Sequence, residues 1–370
     1  MAYGSINADV IGTSVQGYSL GAGNSSLMKN KIINGAMVIS QYNGTSSVTP
    51  AKGQVYNIDR WNTQLTAAST GVISVQQVSD APTGFVNSEK ITVTTADTSV
   101  PSSTQYNFAQ FIEGYNIADL GFGTASAKTI TLSFWVKSSV TGTFSVGLTS
   151  GDGGRGYPTT YTVSVANTWE QKSVTIAGDT SGTWVSTNAN GMRVIFDLGV
   201  GSSLQGTANT WQSAFVYAVS GSTRIIGTLN ATIQFTGVQL EVGSSATGFE
   251  YRQYQQELAL CQRYCYAQDN RAGNSFFYFG VGAGASSTAA YSMVTYPVTM
   301  RIKPSVTLSA GNTFFIDPGV TNFTGSIIDQ ASPIGGVFSL TGGSGLTAGL
   351  TGRCLSNSTA AAFVIWTAEL

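Results

Sequence analysis

Glu113 and Asp119 stand six positions apart around Gly114-Tyr115-Asn116, and two carboxyl groups are all that a glycosidase needs for its acid and its base. With 18 acidic residues in the chain, a pair this close also arises by chance. The same carboxylates, with Asp152 or Asp179 in their turns, have the oxygen chemistry for a structural Ca²⁺, although no EF-hand ligand loop accompanies them. Cys261 and Cys265 lack the two further ligands of a zinc site and, within one helix, the geometry of a disulfide, so buried thiols are expected. Gly151-Asp-Gly-Gly-Arg-Gly156 looks like a phosphate-cradling loop, but no helix follows it to supply a terminus, and it reads as a surface turn. Histidine is absent, which removes Ser-His-Asp and Cys-His catalysis, His-ligated zinc and the usual proton shuttle at neutral pH. The expectation is a non-enzyme with no catalytic residue, no metal centre and no cofactor, the structural Ca²⁺ being the one open alternative.

The remaining chemistry is aromatic. A ring stacked on the apolar face of a sugar, beside uncharged donors and acceptors, binds neutral glycan without a cation. Tyr157, Tyr161 and Trp184 stand among Gly, Thr, Asn and Ser and suit that role, with a core position as the competing reading. Phe276 and Tyr278, with the glycine-rich stretch Gly335 to Gly352, offer the same chemistry nearer the C-terminus. Trp61 and Trp135 sit inside apolar patterns and read as core.

Charge narrows the partners. Charged residues are 9% of the 370, and Lys+Arg 17 against Asp+Glu 18 leaves a net charge of -1. No basic field exists to hold nucleic acid or anionic lipid, and no apolar run approaches a membrane span. Met1 to Asn7 has neither a basic start nor an apolar run, so a secretory signal is not expected. Three cysteines are too few for a disulfide framework and fit folding in a reducing cytosol.

The elements that must position these residues are mostly strands. Gly 44 with Phe 18 and Tyr 16 describes an all-β chain with frequent turns rather than a disordered one. In Thr129 to Lys137, Ile130, Leu132, Phe134 and Val136 alternate with Thr131, Ser133 and Trp135, the period of a half-buried strand. Further runs fall at Ile91 to Thr95, Thr143 to Leu148, Tyr161 to Val165, Ser173 to Ile176, Arg193 to Leu198 and Thr232 to Val242, a spacing that suggests a β-sandwich. In the last run the apolar phase reverses across Gly237, which predicts a bulge there. Tyr254 to Tyr266 lacks Gly and Pro and aligns Tyr254, Leu258, Cys261 and Cys265 as a heptad-like seam, predicting one short helix that docks on its own domain or on copies of itself. Beyond it, Phe276 to Gly284, Val294 to Lys303, Val306 to Ser309, Phe314 to Asp317 and Ala361 to Trp366 read as a small second β domain. The expected organisation is an extended arm over 1–30, a sandwich over 31–252, a connecting helix over 253–266 and a C-terminal β domain over 267–370.

A resemblance then emerges from motifs in order: Ile33-Asn-Gly-Ala-Met37 with Gln41, Tyr56-Asn-Ile-Asp-Arg-Trp61, Gln76-Gln-Val-Ser-Asp-Ala-Pro82, Ile112-Glu-Gly-Tyr-Asn116, Leu132-Ser-Phe-Trp-Val136, Thr168-Trp-Glu170, Gly178 to Trp184, Val238-Gln-Leu-Glu-Val-Gly243 and Glu257 to Tyr264. Together they resemble tail-fibre and virion-fibre proteins of tailed bacteriophages, from about Lys31 to Tyr266. Tyr296-Pro-Val-Thr-Met-Arg301 resembles the terminal domain that often follows in such proteins. The resemblance implies a jelly roll similar to carbohydrate-binding modules, a homotrimer, and a place on the virion, assembled in the host cytoplasm. The expected function is attachment to host surface polysaccharide without cleavage, with the arm joining other virion proteins and Tyr254, Leu258, Cys261 and Cys265 in the trimer contact. A capsid fibre or decoration protein, and a glycan-degrading tailspike, are the alternatives.

Overall fold

The computed structural model describes residues 28–270, 276–310, 313–317, 323, 325–357 and 362–370. Most of the expected arm, residues 1–27, lies outside them. The chain divides into two compact units, one ending at Gln253 and one running from Tyr254 to Glu369.

The first unit carries β1 (Gly53–Ile58), β2 (Trp61–Leu65), β3 (Val72–Val78), β4 (Ser88–Thr95), β5 (Tyr106–Glu113), β6 (Ile130–Ser138), β7 (Gly142–Ser150), β8 (Gly156–Val163), β9 (Glu170–Ile176), β10 (Asn190–Asp197), β11 (Gln205–Gly206), β12 (Ala218–Val219) and β13 (Thr232–Val242). Eleven of them form a jelly-roll sandwich of a six-stranded sheet, β1-β2-β5-β10-β7-β8, and a five-stranded sheet, β3-β4-β13-β6-β9, while β11 and β12 pair with each other. The alternation in β6 puts Ile130, Leu132, Phe134 and Val136 inward. Between the sheets, Trp61, Phe108, Phe235, Phe196 and Phe134 form a continuous ring stack, with centroids 4.9 Å apart for Trp61 and Phe108 and 4.3 Å for Phe196 and Phe235. The bulge expected at Gly237 is present: the β13–β6 register shifts between Thr236 and Gln239, and Gly237 has φ +60°, a conformation open mainly to glycine.

The motifs that carry the resemblance are the joints of this sandwich. Asn34 takes the left-handed conformation (φ 57°). Its amide donates to the carbonyls of Ile39 and Asp59, while its Oδ1 accepts from the Val38 and Ile39 amides. The Trp61 indole donates to the Asn34 carbonyl at 3.1 Å. Gly35 lies so close to β13 that a Cβ there would fall 2.1 Å from the Val238 carbonyl oxygen. Lys29 and Asn30, assigned above to the arm, belong to the sandwich instead. The Asn30 amide donates to Glu250 at 2.8 Å, the Leu240 amide donates to Asn30 Oδ1, and Arg252 donates to the carbonyls of Asn30 and Ile32.

The second unit contains α1 (Tyr254–Gln262), then β14 (Cys265–Asp269), β15 (Tyr278–Gly284), β16 (Ala289–Thr295), β17 (Ser305–Leu308), β18 (Phe314–Asp317), β19 (Gly325–Ser332), β20 (Gly335–Thr341), β21 (Thr351–Ser356) and β22 (Phe363–Thr367). They make a three-stranded sheet, β14-β22-β17, and a six-stranded one, β18-β21-β15-β16-β20-β19. Three expectations need correction. The helix stops at Gln262, because Cys265 begins a strand paired with Thr367, so the four-residue seam does not run along one helix. The strand expected over Val294 to Lys303 ends at Thr295, since Pro297 has no N–H to continue a ladder. Gly335 opens a strand paired with both β16 and β19, and the glycine-rich connection is confined to residues 342–350.

Candidate functional site

Most of the residues singled out for chemistry turn out to be structural. Tyr157 and Tyr161 are both 5% exposed. Each lies on the inward face of β8: the Tyr161 ring is edge-on to Phe134 at 5.0 Å and stacked on Phe144 at 5.8 Å, and Tyr157 packs on Trp211. Neither ring has a face to offer a sugar, which corrects the glycan-binding expectation for both. Trp184 is half-buried, edge-on to Phe122 at 4.8 Å and to Trp211 at 5.4 Å, with its indole donating to the Ser181 carbonyl. It closes a small aromatic cluster at a sheet margin and is not a free platform.

The carboxylates do not assemble either. Glu113 is 1% exposed at the end of β5, whereas Asp119 is on the surface and paired with Lys31 at 2.8 Å. One sealed and one exposed carboxyl cannot flank a single glycosidic bond. Asp179 is held by Arg155 through two hydrogen bonds of 2.6 and 2.8 Å, and Asp152 accepts from Ser150 and the Gly154 amide. Both Asp179 oxygens and Asp152 Oδ1 are thus engaged in ion-pair and turn contacts. Among the described residues no three acidic or thiol side chains gather as metal ligands. Residues 151–155 form the hairpin turn between β7 and β8, and Gly156 opens β8.

In the second unit, Phe276 and Tyr278 are exposed, 58% and 51%. Phe276 lies 6.1 Å from Phe315. Tyr254 is exposed and Leu258 half-buried, but Cys261 and Cys265 are fully buried inside their own unit and so have no surface for a contact between subunits.

The rings that do share an accessible surface lie elsewhere, on the outward face of the five-stranded sheet. Trp135 points away from the core because it alternates with Phe134 and Val136. The bulge at Gly237 opens the space beside it: a Cβ there would fall 2.6 Å from Phe85 Cζ and 2.9 Å from Trp135 Cδ1. Phe85 in turn packs on Phe249 at 5.1 Å and on Tyr251 at 5.4 Å, and Tyr251 is 61% exposed. Along the same face, β3, β4, β13 and β6 align Gln76, Lys90, Gln234 and Lys137 in one cross-strand row. Asp80, just past β3, anchors its far end by accepting from Lys137 at 2.7 Å, from the Trp169 indole at 3.2 Å and from Gln234 at 3.2 Å. Its hydrogen bond with Lys137, supported by those from Trp169 and Gln234, outweighs desolvation and holds the Asp80 carboxyl below the ordinary value. Asp80 is therefore ionised at neutral pH. The result is a surface of five half-buried or exposed rings beside amides, ammonium groups and one carboxylate, a set that stacks on sugar rings and hydrogen-bonds to hydroxyls.

Sequence reading placed Trp135 in the core and passed over Asp80, Trp169 and Tyr251. Two signals were available: the alternation of β6 already sets Trp135 opposite Phe134, and Asp80, Trp135 and Trp169 each belong to a motif quoted above.

No protein-family model matches the chain. No curated protein matches it. Among solved structures, it is similar to the enzymatically active domain of tailspike protein 4 of bacteriophage CBA120, at 15% identity and a TM-score of 0.32, over 58% of this chain and 22% of that one. The chain thus spans about a fifth of the length of that domain. A CBM4 module is similar at 17% identity and a TM-score of 0.27, over 57% of this chain and 98% of the module. The CBM22-2 xylan-binding domain of Paenibacillus barcinonensis Xyn10C matches at 16% identity and a TM-score of 0.29, over 50% and 94%. The jelly-roll assignment rests on the strand order itself. Among the described residues no helix is long and apolar enough to cross a membrane.

Proposed function

We propose that the chain is a non-catalytic glycan-binding fibre protein of a tailed-phage virion, contacting host surface polysaccharide through the outward face of the five-stranded sheet. The observation that carries this reading is the convergence of Trp135, Trp169, Phe85 and Tyr251 around the Asp80–Lys137–Gln234 hydrogen bonds on an accessible surface. The ordered motifs that resemble virion fibres support the setting. The burial of Glu113 and the pairing of Asp119 with Lys31 support binding without cleavage. In this reading residues 1–27 join the chain to other virion proteins. Three copies meet through the second unit, where Tyr254, Val281, Tyr291 and Met293 are exposed.

Incubating the purified protein with host envelope polysaccharide, and following both retention and reducing ends, tests the reading. Retention without new reducing ends is expected, and replacing Trp169 or Tyr251 with Ala should reduce it. New reducing ends, or retention unaffected by those changes, would overturn it. Light scattering is expected to give three times the subunit mass, and deletion of residues 1–27 to leave particles that no longer incorporate the protein. A purely structural place on the capsid is the second reading, favoured by the burial of the Asn34, Asp59 and Trp61 motif residues, and it predicts no retention of any host glycan.

A further inference from the structure

The row on the outward face is electrically unbalanced. Lys137 is matched by Asp80 at 2.7 Å. Lys90, two positions along the same row, makes no ion pair or hydrogen bond with any described residue, and its cross-strand neighbours are the uncharged amides of Gln76 and Gln234. Along β4 its neighbours on this face are Ser88 and Thr92, also uncharged. Both flanking amides are already engaged: Gln76 donates to the Thr45 carbonyl at 3.0 Å, and Gln234 accepts from Ser88 at 3.0 Å while donating to Asp80. Gln234 thus has both amide atoms engaged, and Gln76 is held through its amide nitrogen. Lys90, Lys137 and Asp80 together leave one positive charge on this face, in a chain whose net charge is -1.

Resting on the glycan-binding reading of this same face, we propose that it selects a sugar carrying a carboxylate, which pairs with Lys90 while the rings stack on adjacent sugar units. Geometry suits an oligosaccharide laid across the strands. The row crosses three strand gaps, about 14 Å at the usual spacing, so a carboxylate at Lys90 leaves neighbouring units within reach of Lys137, Asp80 and Trp169. Charge complementarity favours a carboxylate-bearing sugar over a neutral glycan, whose hydroxyls accept a hydrogen bond from the ammonium but leave its charge unbalanced. Carboxylate binding weakens as salt rises, because a local ion pair at the surface is screened.

The test uses the full chain and short oligomers of galacturonate and of glucuronate, each beside its methyl ester, which keeps the sugar and removes the charge. Titration calorimetry in low salt is expected to show the acid form binding about fivefold more tightly than its ester, the order of one exposed ion pair, with the difference lost at about 0.5 M NaCl. In Lys90→Gln the ratio of the two affinities is expected to fall to about one. Thr92→Asp, which gives Lys90 an internal partner and removes no cation, should do the same. Acid and ester binding alike to the unaltered protein would overturn the selectivity while leaving glycan binding on this face intact. A preference that survives Lys90→Gln would overturn the role of Lys90. Binding of neither form would overturn this inference, while the reading on which it rests falls separately, if host polysaccharide is retained equally by the Trp169→Ala and Tyr251→Ala variants.

Discussion

The Trp169 indole nitrogen donates to Asp80 Oδ1 at 3.2 Å, joining the turn before β9 to the turn after β3 across the whole width of a five-stranded sheet. Because Lys137 and Gln234 converge on the same carboxylate, Asp80 sets the orientation of one ring and one cation at once.

Asp80→Ala should therefore lower glycan affinity about tenfold, since charged hydrogen bonds of this kind are worth on the order of 1.5–3 kcal/mol when they orient a site. Stability should barely move, because exposed ion pairs contribute about 0–1 kcal/mol. Calorimetric titration beside a thermal melt separates the two effects. A melt lowered as much as the affinity would assign Asp80 a structural role only.

Gly237→Ala should disturb the same surface from beneath. The added Cβ meets Phe85 and Trp135 at under 3 Å, and the left-handed backbone costs a non-glycine residue about 1–2 kcal/mol. A fall of that size in the urea-unfolding free energy, with a shifted tryptophan emission, is the expected result. An unchanged emission spectrum would mean the rings have room to yield.

Glu89 gives the sandwich a pH dependence. It lies on the core side of β4 with Ile91 and Val93, and its Oε2 has no hydrogen-bond partner. Burial pushes its carboxyl up to about 8, from 4.5. Below pH 4.5 the folded and unfolded chains both keep the proton, so nothing is lost. Between 4.5 and 8 only the folded chain keeps it, so stability falls as pH rises, by on the order of 1 kcal/mol per pH unit; above 8 the loss is constant. Asp59 and Asp197, each raised by burial to about 6, add the same sign between their unfolded value and pH 6. Glu89→Gln should melt higher than the unaltered protein at pH 8, by about 2–4 °C for each kcal/mol recovered. The two curves should meet near pH 4. A gap independent of pH would show that titration is not its cause.

Arg252 closes the sandwich by donating to the carbonyls of Asn30 and Ile32. Arg252→Ala should cost about 1–3 kcal/mol by leaving those acceptors without their donor. Amide exchange at residues 30–33 should quicken more than in the ring stack around Phe235. Uniform loss of protection would instead mark a global effect.

Phe235→Ala, at the centre of that stack, should cost about 3–5 kcal/mol as a cavity opens between the sheets. A denaturant midpoint within error of the unaltered protein would show that the neighbouring rings collapse into the space.

The all-β class, the strand at Ile130 to Val136 and the bulge at Gly237 were legible because each is a local property: residue type, a period of two, and a break in that period. The face each ring occupies was not. Tyr161, a sugar-platform candidate, is sealed between Phe134 and Phe144, while Trp135, assigned to the core, stands on the outside. A strand exposes either of its two faces equally well until a second sheet covers one, and a single step along the chain exchanges them. The same holds for Asp80, Lys137 and Trp169, which are distant in sequence and meet only when β3 and β9 flank the strands between them. Composition determined that this chain would build a sandwich rich in rings and poor in charge. Only the stacking of one sheet on the other decided which rings, and which lysine, lie on the outward face.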